Sequence, residues 1–139
     1  MGDLLADPYY RRQPPKSVGR EQYGSDFVAL MKRRGTPFPE LIATATALTA
    51  ATIAAGVGNE AGDLIVAGGG VHNRQLMAQL AALLPALTIQ TSAEYGIDPD
   101  AKEAIAFAVL AYRTWRRRPS NLPSATGAKR AVILGSITQ

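Results

Sequence analysis

The chain of 139 residues has no cysteine and a single histidine. The first absence excludes a disulfide scaffold and any chemistry carried by a thiolate, whether nucleophilic or metal-binding. The second excludes a histidine-rich metal site and leaves no set of partners for a Ser–His–Asp triad. Aromatic residues are scarce, at 6%, and are not interleaved with the basic residues in the manner of base-stacking surfaces. No apolar run is expected to approach the roughly 18 residues of a membrane span, and the early Asp3 and Asp7 do not fit a signal peptide. These absences point to a cytoplasmic protein with no membrane partner.

What is present is ordinary for a globular chain: 47% hydrophobic and 19% charged residues, with 13 Gly and 9 Pro. The length suits one domain, or one lobe of a larger protein. A net charge of +4 raises the question of nucleic acid. The basic residues bunch at Arg11–Arg12, Lys32–Arg34, Arg116–Arg118 and Lys129–Arg130. Two of these bunches close helices, where cations complement the negative end of the helix dipole, so solvated helix ends are favoured over a nucleic-acid surface.

The N-terminal residues 1–23 read as a short helix followed by an irregular segment, because Pro14-Pro15 excludes helix interior. A helix follows from Gly24 or Ser25, closed by Lys32-Arg33-Arg34 and Gly35. Pro37-Phe38-Pro39-Glu40 opens a long Ala- and Thr-rich helix to about Val57 with no charge after Glu40, apolar around most of its circumference and therefore expected to be buried on several sides. Asp63–Ala67 reads as a buried strand, Gly68-Gly69-Gly70 as a turn, Asn73–Leu84 as a helix stopped by Pro85, and Leu87–Thr91 as a second strand. Asp98-Pro99-Asp100 carries the marks of a helix start, with Asp98 as the cap, for a helix reaching about Arg118. A polar loop spans 119–130, and 132–137 could be a last short strand or a turn of helix. The order is that of an α/β protein, helix-rich with a small sheet.

Two features could carry chemistry. Three glycines directly after a strand let backbone approach a ligand closely, and the N–H groups of the following helix can face an anion. The same residues also suit a tight turn packed against a neighbouring backbone, and the sequence leaves both readings open. The pattern is neither GxGxxG nor GxxxxGK[ST], so it marks neither a Rossmann nor a P-loop site. The second feature is Glu103, whose helical stripe continues through Phe107, Leu110 and Thr114 and is expected to border buried surface. A carboxylate there would need a sugar hydroxyl or a protein donor, unless it is simply an exposed first-turn acid or an internal ion pair. His72 receives no role, and the Lys16–Arg20 pair reads as a solvated loop rather than a phosphate contact.

Several stretches occur in a specific order: Asp7-Pro8-Tyr9-Tyr10, Pro15-Lys16-Ser17, Gly19-Arg20-Glu21, Thr46…Leu48-Thr49-Ala50, Gly68-Gly69-Gly70 with Asn73, Glu103-Ala104…Ala106-Phe107-Ala108, and Asn121-Leu122-Pro123-Ser124…Thr126-Gly127-Ala128 with Leu134-Gly135. In this order they resemble the anhydro-N-acetylmuramic acid kinases across essentially the whole chain, and share much with levoglucosan kinase-type anhydrosugar kinases. The resemblance is to the C-terminal part of that family. It implies that residues 1–139 form a single domain, one RNase H-like lobe of an actin-like, sugar kinase/Hsp70-type ATPase fold. It implies an enzyme that uses ATP and Mg²⁺ to phosphorylate O6 of the anhydrosugar while water opens the 1,6-anhydro ring, in cell-wall recycling. By the same resemblance Gly68, Gly69, Gly70 and Asn73 lie on the nucleotide side, Glu103 holds the sugar, and the protein is a homodimer. The family's Gly-Thr-Ser-x-Asp-Gly phosphate loop, its Asp-Thr-Gly-Pro-Gly-Asn element and its water-activating aspartate have no counterpart among these residues. The chain alone is therefore expected to be catalytically inert, or to serve as a binding or oligomerisation module derived from that lobe.

Overall fold

The computed structural model describes residues 2–138 except Pro14, Ser17, Arg20, Gln22, Asn59 and Glu60. Parts of the expected Pro14-Pro15 break and of the Lys16–Arg20 pair lie outside the described residues. The elements in order are α1 (Gly2–Leu5), α2 (Ser25–Arg33), α3 (Phe38–Val57), β1 (Gly62–Val66), α4 (Arg74–Leu83), β2 (Leu87–Thr91), α5 (Lys102–Trp115) and α6 (Pro123–Thr126), with 3₁₀ turns at Pro8–Arg11, Gly69–His72, Ser92–Tyr95 and Pro99–Ala101. The fold is α/β, helix-rich, with one small sheet.

That sheet has two strands, β1 and β2, paired in parallel with Gly62 opposite Leu87 and Val66 opposite Thr91. Parallel neighbours require a crossover, and α4 supplies it. The core forms where α4 packs on α3: Ala50, Leu80 and Leu84 are 0%, 2% and 5% exposed, with Ile53, Leu64, Leu76, Met77, Leu87 and Ile89 packed around them. Ala50 matters here because a side chain that small lets the axes of the two helices approach closely.

The local stops follow the chemistry of the sequence. Gly35 takes φ +70° after α2, and its N–H reaches the Lys32 carbonyl at 3.0 Å. Leu84 closes α4 immediately before Pro85, which cannot extend the helix. Gly24 caps α2 without a side-chain bond.

Several expectations are corrected. The Ala- and Thr-rich helix α3 is not enclosed on several sides: Leu41, Leu48 and Ala50 are buried, whereas Ile42 is half exposed and Phe38 is mostly exposed. By length and composition, its 20 residues are also apolar enough to cross a membrane, contrary to the expectation that no run approaches that length. Core helices of globular proteins pass the same test. The strand β1 is only partly covered, with Ile65 52% exposed. Helix α5 starts after a 3₁₀ turn and ends at Trp115, short of Arg118, where Arg117 takes φ +52°. Residues 132–137 form neither strand nor helix, and the polar loop contains the short helix α6.

The C-terminal stretch is instead held by side chains. Asn121 donates from Nδ2 to the Arg130 carbonyl (3.0 Å) and accepts from the Val132 N–H (2.7 Å), while the Ser120 N–H reaches the Val132 carbonyl. Thr114 Oγ1 shares its single proton between the Leu110 and Leu134 carbonyls. At the other end, the N-terminal segment lies over α3 and encloses a cavity of about 320 Å³ lined by Tyr9, Tyr10, Lys16, Tyr23, Thr49 and Thr52. Lys16 is engaged there: its Nζ sits 5.1 Å from the centre of the Tyr9 ring and donates to the Tyr10 carbonyl. Tyr10 and Tyr23 share a hydroxyl–hydroxyl hydrogen bond, and desolvation followed by that bond pushes the Tyr10 phenol above its ordinary value.

Candidate functional site

In open parallel sheets, ligands bind beyond the carboxyl ends of the strands. Val66 and Thr91 end their strands opposite one another, so the segments that follow both strands emerge at the same edge. The glycine turn follows β1. The 92–101 segment, which leads into the first turn of α5 and Glu103, follows β2.

Gly68 takes φ +87° and ψ 174°, a region open in practice only to glycine. Its N–H donates to the Pro99 carbonyl at 2.9 Å, which ties the turn to the entrance of α5. Gly69 and Gly70 do not have positive φ. A Cβ on Gly68 or Gly69 would meet nothing within 4 Å, and one on Gly70 would touch only Leu76 Cδ2 at an ordinary 3.6 Å. The reading as a turn tied to neighbouring backbone thus fits Gly68. Backbone conformation accounts for glycine at 68, and no intramolecular contact accounts for glycine at 69 or 70. The open space above them suits close approach by another molecule.

Asn73 caps α4: its Oδ1 accepts from the N–H groups of Gln75 and Leu76, both at 3.1 Å. The cap uses Oδ1 and leaves the exposed Nδ2 group as the part of this side chain able to donate outward. Asp98 caps the next segment as expected, accepting from the Asp100 N–H at 2.9 Å. Glu103 stands in the first turn of α5 but is exposed, as are Phe107 (70%) and Trp115 (71%), and α5 buries no residue fully. The expected buried border along its stripe is thus not formed within this chain, and an exposed first-turn acid is what the geometry presents.

Two groups at this edge were not singled out from the sequence. His72 Nε2 lies 2.9 and 3.0 Å from the two carboxylate oxygens of Asp100. An ionised carboxylate only accepts, so this nitrogen carries the proton and donates. Ser92, the first residue after β2, is 6% exposed, and its Oγ has no hydrogen-bond partner. Buried hydroxyls are normally paired, so an orphan at the carboxyl edge fits a site completed by something outside these residues. A small buried serine carries no sequence pattern, whereas the His72–Asp100 pair spans 28 positions and appears only once the parallel register is known.

Among the described residues, no group of three or more His, Asp or Glu is placed to hold a metal ion.

The family model for anhydro-N-acetylmuramic acid kinase matches residues 1–139. Among curated relatives, the chain is similar to the anhydro-N-acetylmuramic acid kinase of Salinibacter ruber, with 43% identity over 99% of this chain and 37% of the relative. It is also similar to those of Xylella fastidiosa (43% identity, 96% of this chain, 36% of the relative) and Legionella pneumophila (44%, 96% and 37%). The chain spans little more than a third of the length of the curated relatives it matches. With the match running from the first residue to the last, through the glycine turn and the helix that bears Glu103, the chain belongs to the anhydro-N-acetylmuramic acid kinase family.

Proposed function

We propose that this chain is a nucleotide- and sugar-facing part of an ATP-dependent anhydro-N-acetylmuramic acid kinase, an enzyme that phosphorylates O6 of the anhydrosugar as water opens its 1,6-anhydro ring. The observation that carries the reading is the glycine turn. Gly69 and Gly70 occupy an exposed strand–helix junction where no side chain or backbone of the chain itself demands glycine. A polyphosphate brought against bare backbone N–H groups would demand it. In this reading Gly68–Gly70 approach the nucleotide, and Asn73 adds its Nδ2 donor. Glu103 accepts hydrogen bonds from sugar hydroxyls at the adjoining helix start. The resemblance of the ordered motifs from Asp7-Pro8-Tyr9-Tyr10 onward supports assignment to the C-terminal lobe of an actin-like ATPase fold, working in the cytoplasm in cell-wall sugar recycling.

This edge supplies hydrogen-bond donors and carboxylates, of which Asp98 caps the 99–101 turn, Asp100 holds His72, and Glu103 is left facing outward. Phosphoryl transfer requires nucleotide, metal and nucleophile to be positioned together. Mg²⁺ neutralises phosphate charge when bound, and its ligands are assigned to the nucleotide and to the remainder of the kinase. The 139 residues alone are accordingly inert as a catalyst.

The test uses the full-length protein that carries this chain. It should convert ATP and 1,6-anhydro-N-acetylmuramic acid to the 6-phosphate, and Gly69→Ala should weaken ATP binding about tenfold through steric overlap. The melting temperature should stay unchanged, because the added methyl meets no atom of this chain. Gly69→Ala with wild-type ATP affinity would overturn the nucleotide assignment, and robust turnover by the 139 residues alone would overturn their inertness.

A second reading is favoured by one observation. The exposed apolar residues of α5 and the roughly 630 Å³ groove between α5 and Leu134–Thr138 form a surface suited to self-association, as in a homodimer or an inert assembly module.

A further inference from the structure

The His72–Asp100 pair has no part in the reading above, yet it bridges the two halves of the proposed site. His72 ends the 3₁₀ turn begun by Gly69, and Asp100 lies in the 3₁₀ turn that opens α5 three residues before Glu103. A second tether, the Gly68 N–H to Pro99 carbonyl bond of 2.9 Å, runs parallel to it through the backbone. The first and last parts of the glycine turn are therefore fastened to adjacent residues of the segment leading into α5. The turn is also joined through the chain to β1 and α4, and Val71 within it is half-buried.

We propose that His72 and Asp100 are positioning residues that couple the nucleotide side of the cleft to its sugar side. Neither touches the reacting atoms. A ligand that settles on Gly68–Gly70 moves or fixes His72, the carboxylate of Asp100 follows, and the first turn of α5 is set for the sugar. Coupling of this kind is reciprocal: each ligand must change the affinity of the other by the same factor. Because this inference rests on the kinase reading, its test must separate the two.

The full-length protein is titrated with a non-hydrolysable ATP analogue plus Mg²⁺ in the absence and presence of the anhydrosugar, and in the reverse order. The same titrations are repeated for His72→Ala, Asp100→Ala and the exchanged double variant His72→Asp/Asp100→His. The pair is exposed, so the expected loss of coupling in each single variant is modest, about two- to fivefold. Each ligand's affinity measured alone should be little changed, and the melting temperature should stay near that of the wild type. The exchanged variant should recover most of the coupling, since it restores an imidazole and a carboxylate across the same gap. His72→Gln, which keeps a donor, should fall between the two.

Unchanged coupling in the single variants would overturn the inference, as would wild-type protein that binds both ligands independently. Coupling lost equally in the exchanged variant, together with a lowered melting temperature, would reduce the pair to a structural brace and overturn it too. Wild-type protein that binds neither ligand would overturn the kinase reading itself, and the inference with it.

Discussion

The unit β1–α4–β2 with α3 beneath it and the helix α5 with the tail behind it are built from similarly apolar sequence, yet they have opposite fates. In the first, Ala50, Leu80 and Leu84 close a core against both strands. In the second, Phe107, Tyr112 and Trp115 remain largely in solvent, and α5 buries no residue fully. An apolar helix with no buried face gains little from folding beyond its own hydrogen bonds. The comparison teaches that composition sets how much surface a segment can bury, while the neighbours available decide how much it does. With little more than a third of its relatives' length present, this chain supplies neighbours for α4 and few for α5.

The comparison can be broken first at its strongest point. Leu80→Ala removes a side chain that is 2% exposed, and should cost about 3 kcal/mol in denaturant unfolding. A cost below about 1 kcal/mol would mean that the α3–α4 core is no better packed than α5. The next effect is at the turn. Gly68→Ala places a Cβ in a conformation that only glycine tolerates and should cost about 1–3 kcal/mol although the methyl has room. The same change at Gly69 should stay within about 0.5 kcal/mol, and equal costs at both positions would refute the distinction drawn between them. The smallest stability effect belongs to α5. Trp115→Ser should leave the unfolding free energy of the chain within about 0.5 kcal/mol while lowering the self-associated fraction measured by light scattering. A large loss of stability in the monomer would show that α5 is held by more than its exposure implies.

The sequence made the middle of the fold readable because each signal there is local. A β-branched run, three glycines, a capping asparagine, a proline stop and an alternating strand lie within thirty residues of one another, and Asp98 announced its cap through the proline that follows. Burial was less readable. The uncharged run from Leu41 to Val57 says that α3 can be covered, but cover is a property of what packs on it, and only the face bearing Leu41, Leu48 and Ala50 has found a partner. The buried border expected beside Glu103 is missing for the same reason, its apolar stripe being a surface without an occupant. The last stretch was misread because Val132–Ile137 has strand-like composition but no strand beside it, so side chains such as Asn121 take over its backbone groups. At the site, the glycines and Asn73 were legible as candidates, whereas the imidazole–carboxylate bridge and the orphaned Ser92 hydroxyl depend on which strand ends meet in space.

The register of the two strands also constrains the length of the chain. Since Val66 and Thr91 share the final rung of the ladder, the chain leaves both strands flush, with no overhang to take up slack. One residue inserted into β2 would turn its inward side chains outward and also lift Asp100 away from His72 by about a strand rise, roughly 3.3 Å. Additions ahead of Gly62 and Leu87, where the two strands begin, would instead fall at the opposite end of the sheet and leave the His72–Asp100 edge untouched.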